Sequence, residues 1–131
     1  MRPWAVGALA GAFVLVGVGC GSDLPAAASN VAERFYQAIG ARNGAAACAL
    51  LAPQTFHEVE ESAQAQCATA ILDENIPAGG EVTELRQYGG QAQARMRDDT
   101  AFLAEFDDGW KVVAAACTPQ GQLPYDCKLK G

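Results

Sequence analysis

The chain has 131 residues, half of them hydrophobic, with 9 Lys and Arg against 15 Asp and Glu and a formal net charge of −6. That is one domain's length, enough for a modest core. Nucleic acid demands clustered positive charge, so no nucleic-acid partner is expected; the acid itself is dispersed, since Glu58-Val59-Glu60-Glu61 and Asp98-Asp99 are too short to be tails.

The first element is apolar. Met1-Arg2-Pro3 carries one positive charge, and the 16 residues from Trp4 to Gly19 carry none. This is the layout of a secretory signal. Four glycines in the run, and a length below the roughly 20 apolar residues of a spanning helix, make it a poor permanent anchor. The run ends at Val16-Gly17-Val18-Gly19-Cys20, which resembles a bacterial lipobox. The resemblance implies cleavage before Cys20 and a Cys20 thiol carrying lipid, with acyl chains such as palmitate. Residues 1–19 are then a signal peptide. Loss of Arg2 leaves 8 basic against 15 acidic residues, a net of −7. Such a chain is repelled by anionic headgroups, so the lipid must hold it at the membrane. Residues 20–29 (Cys20 followed by GSDLPAAAS) are small and polar and are expected to form a flexible tether. The expected location is the extracytoplasmic face of the cell membrane.

Residues 30–131 form the domain. Asn30-Val31-Ala32-Glu33 predicts a capping box, with Val31, Phe35, Ala38 and Ile39 at helical spacing over 31–41. Asn43-Gly44 breaks that helix, and a short alanine-rich helix over 45–51 stops at Pro53. Thr55-Phe56-His57-Glu58 reads as a second capping box, opening a helical stretch over 56–74 with a kink near Ser62. From Val82 the period becomes two. Strands are predicted over 82–88, 91–97, 100–106 and 110–117, separated by Gly89-Gly90, Asp98-Asp99 and Asp107-Asp108-Gly109. Thr118-Pro119-Gln120-Gly121 is expected to loop away before Pro124-Tyr125-Asp126-Cys127 returns. The fold class is therefore α+β, with N-terminal helices packed on one face of a curved four-stranded antiparallel sheet.

With Cys20 set aside, Cys48, Cys67, Cys117 and Cys127 form an even set in an oxidising setting. Four cysteines allow three pairings. Cys48–Cys67 and Cys117–Cys127 are favoured because each pair brackets one local unit. A single histidine and no C-x-x-C spacing argue against a metal site, and no cofactor motif is present.

Three stretches together resemble a family: Val31 to Ala38 with Gly44 to Pro53; Thr100 to Phe106 before Gly109-Trp110-Lys111-Val112; and Ala116-Cys117-Thr118-Pro119 with Pro124-Tyr125-Asp126-Cys127. They resemble lipoproteins of high-GC Gram-positive bacteria whose domain is similar to the nuclear transport factor 2-like superfamily, a cone-shaped α+β fold. No strand pair is legible between the early helices, so a reduced cone is expected. That superfamily holds isomerases, dehydratases and non-enzymatic modules, and fold alone does not choose among them.

No catalytic residue is assigned. His57 reads as an exposed first-turn residue and Tyr36 as core with a wet tip. Asp73-Glu74 and Asp107-Asp108 read as solvated turn acids. Arg95 and Arg97 are expected to pair with Glu84 or Glu105 across strands. Ala92, Ala94, Ala114 and Ala116 leave room beneath the helices. Closely packed helices fill that room, or it forms a shallow pocket lined by Tyr36, Met96, Phe102, Phe106 and Trp110; Trp110 is expected as core. The expected role is a non-catalytic accessory or binding module held at the membrane, with a membrane-complex or cell-envelope protein as partner. The alternative is a small isomerase or dehydratase acting on an apolar substrate.

Overall fold

Alanines at the head of the domain build helix rather than linker. The computed structural model describes residues 23–131, and its first helix, α1, spans Asp23–Gly40. Ala28, Ala32, Phe35 and Tyr36 fall on one stripe and are all buried. The flexible tether expected over 20–29 is thus helix from Asp23 onward, and Ala28 belongs to the core. Asn30 lies inside α1 and is no cap. Glu33, its supposed partner, instead accepts a hydrogen bond at Oε1 from the Val82 amide at 3.2 Å, tying α1 to the first strand. The signal peptide and Cys20 lie outside the described residues.

Helix α2, Gly44–Ala49, is capped by Asn43, whose side chain accepts from the Ala46 amide. Gly44 is obligatory: a Cβ there would overlap the Ala68 carbonyl oxygen of the neighbouring helix. Helix α3, Pro53–Ala63, starts at the proline expected to stop its predecessor, since proline's fixed φ suits a first helical turn. Thr55 therefore sits within α3, and its hydroxyl donates across the domain to the Val113 carbonyl at 3.0 Å. The long helix expected over 56–74 is divided. Gln64 takes a left-handed conformation, α4 resumes at Cys67–Ala70, and a 3-10 turn follows at Ile71–Asp73. The Cys48–Cys67 disulfide joins α2 to α4.

Five strands follow, not four. β1 (Val82–Tyr88), β2 (Gln91–Met96), β3 (Thr100–Phe106), β4 (Gly109–Gln120) and β5 (Leu123–Lys130) form one open, curved antiparallel sheet in chain order. The segment expected to loop away at Thr118 continues β4, and the returning tail is β5. Cys117 and Cys127 face each other across that hairpin and are joined. Both pairings match the expected ones.

The helices cover one sheet face. Ala92, Ala94 and Met96 of β2, Ala101 and Leu103 of β3, Trp110, Val112 and Ala115 of β4, and Leu129 of β5 all enter one cluster with the α1 stripe. Small residues meet small residues, so helix and sheet approach closely. Strand β4 does not hold the expected face row. Leu103 pairs with Val112 but Phe102 pairs with Ala114, so Val113 is an extra residue, a β-bulge. Beyond it the buried face moves from even to odd positions: Ala114 is half-buried and Ala115 is core. The freed Val113 carbonyl accepts from both Thr55 and the Gly131 amide.

Trp110 is only 6 % exposed and belongs to the core, so Trp110→Ala is expected to cost about 3–5 kcal/mol in urea unfolding. A loss below about 1.5 kcal/mol would show a ring that is not packed. Gly44→Ala should cost about 1–3 kcal/mol by overpacking the α2–α4 contact. Non-reducing peptide mapping should recover Cys48 with Cys67 and Cys117 with Cys127; each bridge contributes about 2–4 kcal/mol, so reduction should lower the melting temperature sharply.

Candidate functional site

The densest polar contact in the domain centres on Asp99, in the turn between β2 and β3. Its Oδ2 accepts from the Tyr36 hydroxyl of α1 and from the Ala116 amide of β4 at 2.9 Å. Its Oδ1 accepts from the Cys117 amide at 3.1 Å. The Asp99 carbonyl in turn accepts from the Met96 amide at 2.8 Å, closing the turn.

This geometry explains an irregular backbone. Ala116 has φ of +54°, a left-handed conformation that alanine rarely adopts and that costs on the order of 1–3 kcal/mol. There, two successive N–H groups converge on one carboxylate, the arrangement of an anion-binding nest. Hydrogen bonds to an ionised acceptor are about twice as strong as neutral ones, which offsets the strain.

Tyr36 is 2 % exposed. Gly79 passes over its ring with φ of +63°, where any Cβ would collide with the ring atoms. Burial, and then the Asp99 carboxylate beside it, push the Tyr36 hydroxyl far above the usual phenol range, so it remains a donor throughout the physiological range. The phenol and the carboxylate satisfy each other. Acid–base chemistry on a substrate needs one of them free and aimed into an enclosed space.

Asp99 does border a groove of about 350 Å³, between the β2–β3 turn and the outer part of the β4–β5 hairpin. That groove is open to solvent and lined by both polar and apolar atoms. Arg95, Arg97 and Lys128 stand around it, with Pro77 and Pro119 as its apolar walls.

Of the five residues expected to line a pocket, three lie together in the core and two on the opposite sheet face. Tyr36, Met96 and Trp110 are buried in the core, at 2 %, 7 % and 6 % exposure. Phe102 and Phe106 point away from it, because strand residues alternate and Ala101 and Leu103 take the inner positions. Phe102 is half-buried and meets the Tyr125 ring edge-on, centroids 5.3 Å apart. Phe106 is 38 % exposed. On this outer face Phe102, Ala104, Val113 and the exposed Tyr88 border a second, mainly apolar groove of about 450 Å³.

His57 is exposed on α3, edge-on to Phe56. Arg95 pairs with Glu84 at 3.1 Å as expected. Arg97 has no ion pair among the described residues, and neither has Glu105. Asp108 pairs with Lys111 at 3.5 Å. Among the described residues no three of His, Cys, Asp or Glu converge, and no helix is long and apolar enough to cross a membrane.

Sequence reasoning placed Asp98-Asp99 only as the turn between two strands and did not connect Asp99 with Tyr36. The two are 63 positions apart, and no local pattern joins them. No protein-family model, no curated protein and no solved structure matches the chain.

Tyr36→Phe should lower stability by about 1.5–3 kcal/mol, the range for a hydrogen bond to a charged group. Asp99→Ala should cost more, because it also strands two amide donors. The raised Tyr36 value has a signed consequence. Its stabilising effect is complete below the unfolded tyrosine value, near pH 10, and declines as pH rises beyond it. Urea midpoints measured from neutral to alkaline pH should fall less steeply in Tyr36→Phe than in the parent.

Proposed function

We propose that this chain is a lipoprotein, anchored through Cys20 on the extracytoplasmic face of the membrane, whose domain binds a ligand or partner without catalysis. The observation that carries this reading is the pair of disulfides in so small a domain. Structural disulfides persist in oxidising compartments and are rare in the cytosol. An exported domain suits the apolar leader and the lipobox-like Val16-Gly17-Val18-Gly19-Cys20. The domain itself is proposed as a reduced member of the nuclear transport factor 2-like superfamily. In its support, helices come first, an open curved antiparallel sheet follows, and the helices pack on one sheet face.

The isomerase or dehydratase alternative calls for an acid–base group facing a closed apolar cavity. Tyr36 and Asp99 engage each other, the adjoining groove is open, and His57 is exposed. The binding reading therefore uses the domain's surface features and asks nothing of its core.

Mature protein taken from the host membrane should begin at Cys20 and carry the added mass of acyl chains in intact-mass spectrometry. Cys20→Ala should leave uncleaved precursor or release the protein to the medium. An unmodified N-terminus at another residue would overturn the anchor.

A further inference from the structure

The open groove beside Asp99 gathers positive charge in a chain that has little. The whole sequence holds 9 Lys and Arg and is net −6. Arg95 of β2, Arg97 just beyond that strand and Lys128 of β5 all line this one groove, and all three are exposed. Two carboxylates also border it. Asp98 is exposed, and Asp99 accepts from Tyr36 and the two amides, neutral donors that do not cancel a carboxylate's charge, so the lining sets three cations against two carboxylates.

The three cations are not equally engaged. Arg95 pairs with Glu84, which Arg86 shares at 2.8 Å. Lys128 Nζ reaches only the Asn75 carbonyl, at 3.5 Å. Arg97 has neither an ion pair nor a side-chain hydrogen bond among the described residues. A guanidinium offers a planar fork of donors that fits phosphate or carboxylate oxygens in a bidentate manner. Thr118 adds a hydroxyl to the lining, and Pro77 and Pro119 supply an apolar wall.

Cations on both sides of a groove favour a phosphate over a carboxylate. A phosphate monoester carries close to two negative charges near neutral pH and three acceptor oxygens, so it suits a groove lined by several cations better than a carboxylate does. The apolar wall then receives what the phosphate is attached to.

We propose that this groove binds a phosphate group carried on an apolar body, either a phospholipid headgroup or a soluble organic phosphate. This names a ligand class for the binding-module reading and rests on it, but not on the lipid anchor.

The test uses the full chain in a neutral detergent, with phenyl phosphate, inorganic phosphate and phenol as probes and amide NMR shifts as the readout. Phenyl phosphate should bind saturably, with shifts at Arg97, Thr118 and Lys128. Inorganic phosphate should bind more weakly and phenol not at all, and added salt should weaken both anions. Arg97→Gln is an exposed substitution and should leave the melting temperature unchanged while weakening phenyl phosphate about tenfold or more, as loss of a charged hydrogen bond does. Adding phosphatidic acid or phosphatidylcholine to the same detergent micelles, with the same amide shifts as the readout, separates the sources. Shifts at Arg97, Thr118 and Lys128 with phosphatidic acid alone that Arg97→Gln abolishes assign a lipid headgroup; phenyl phosphate binding without them assigns a soluble phosphate. Absence of saturable phenyl phosphate binding, or binding indifferent to Arg97→Gln, overturns the proposal. Neither result alters the mass measured at Cys20, so failure of this site and failure of the anchor are distinguishable.

Discussion

One carboxylate joins α1, the β2–β3 turn and β4. Asp99 holds the phenol of α1 on one oxygen and two consecutive amides of β4 on both, while its own carbonyl closes the β2–β3 turn. The helical layer and the bend of the longest strand are thereby fixed to one point. The bend has to occur at Ala116, because only a left-handed residue there presents both amides to the same acceptor. From that bend follow the course of the β4–β5 hairpin, the shape of the cationic groove beside it, and the return of Tyr125 to the Phe102 ring on the outer face.

A second organising feature lies on the same strand. The bulge at Val113 shifts which residues of β4 face inward, and its carbonyl is taken up by Thr55 and by the last amide of the chain. Before the bulge, Val112 uses its amide and carbonyl on Leu50 and Ala52, so the loop between α2 and α3 extends the sheet where β5 is absent. The edge of β4 is thus covered along much of its length, by a loop at one end and by β5 at the other.

Alternation made β2 legible, since Gln91-Ala92-Gln93-Ala94-Arg95-Met96 announces its two faces directly, and β3 was legible as a short apolar run between turns. β5 was not legible because Pro119, Gly121 and Pro124 carry the chemistry of a loop, and only the cysteines on either side hinted at paired strands. The bulge had no signal at all. Val112-Val113-Ala114-Ala115-Ala116 is apolar at every position, so no period marks where its facing changes. In the helical half, alanine misled once. Ala26 to Ala28 read as tether, yet Ala28 is fully buried, because a helix lying close to an alanine-rich sheet requires small residues on its inner side. Cys48–Cys67 and Cys117–Cys127 were readable because each pair closes a neighbouring unit. The Asp99 contacts were not, because tertiary hydrogen bonds between turns and helices leave no periodic trace.

The two disulfides share one topological property. Cys48–Cys67 spans a separation of 19 and Cys117–Cys127 a separation of 10, and neither loop contains or crosses the other. Closing a short loop costs little entropy, and the cost grows only slowly with length. Each bridge can therefore form from partners already near one another, one within the helical half and one within the last hairpin, before the two halves have docked. Under oxidising conditions this arrangement offers few opportunities for crossed pairing, because each half can be stapled without reference to the other.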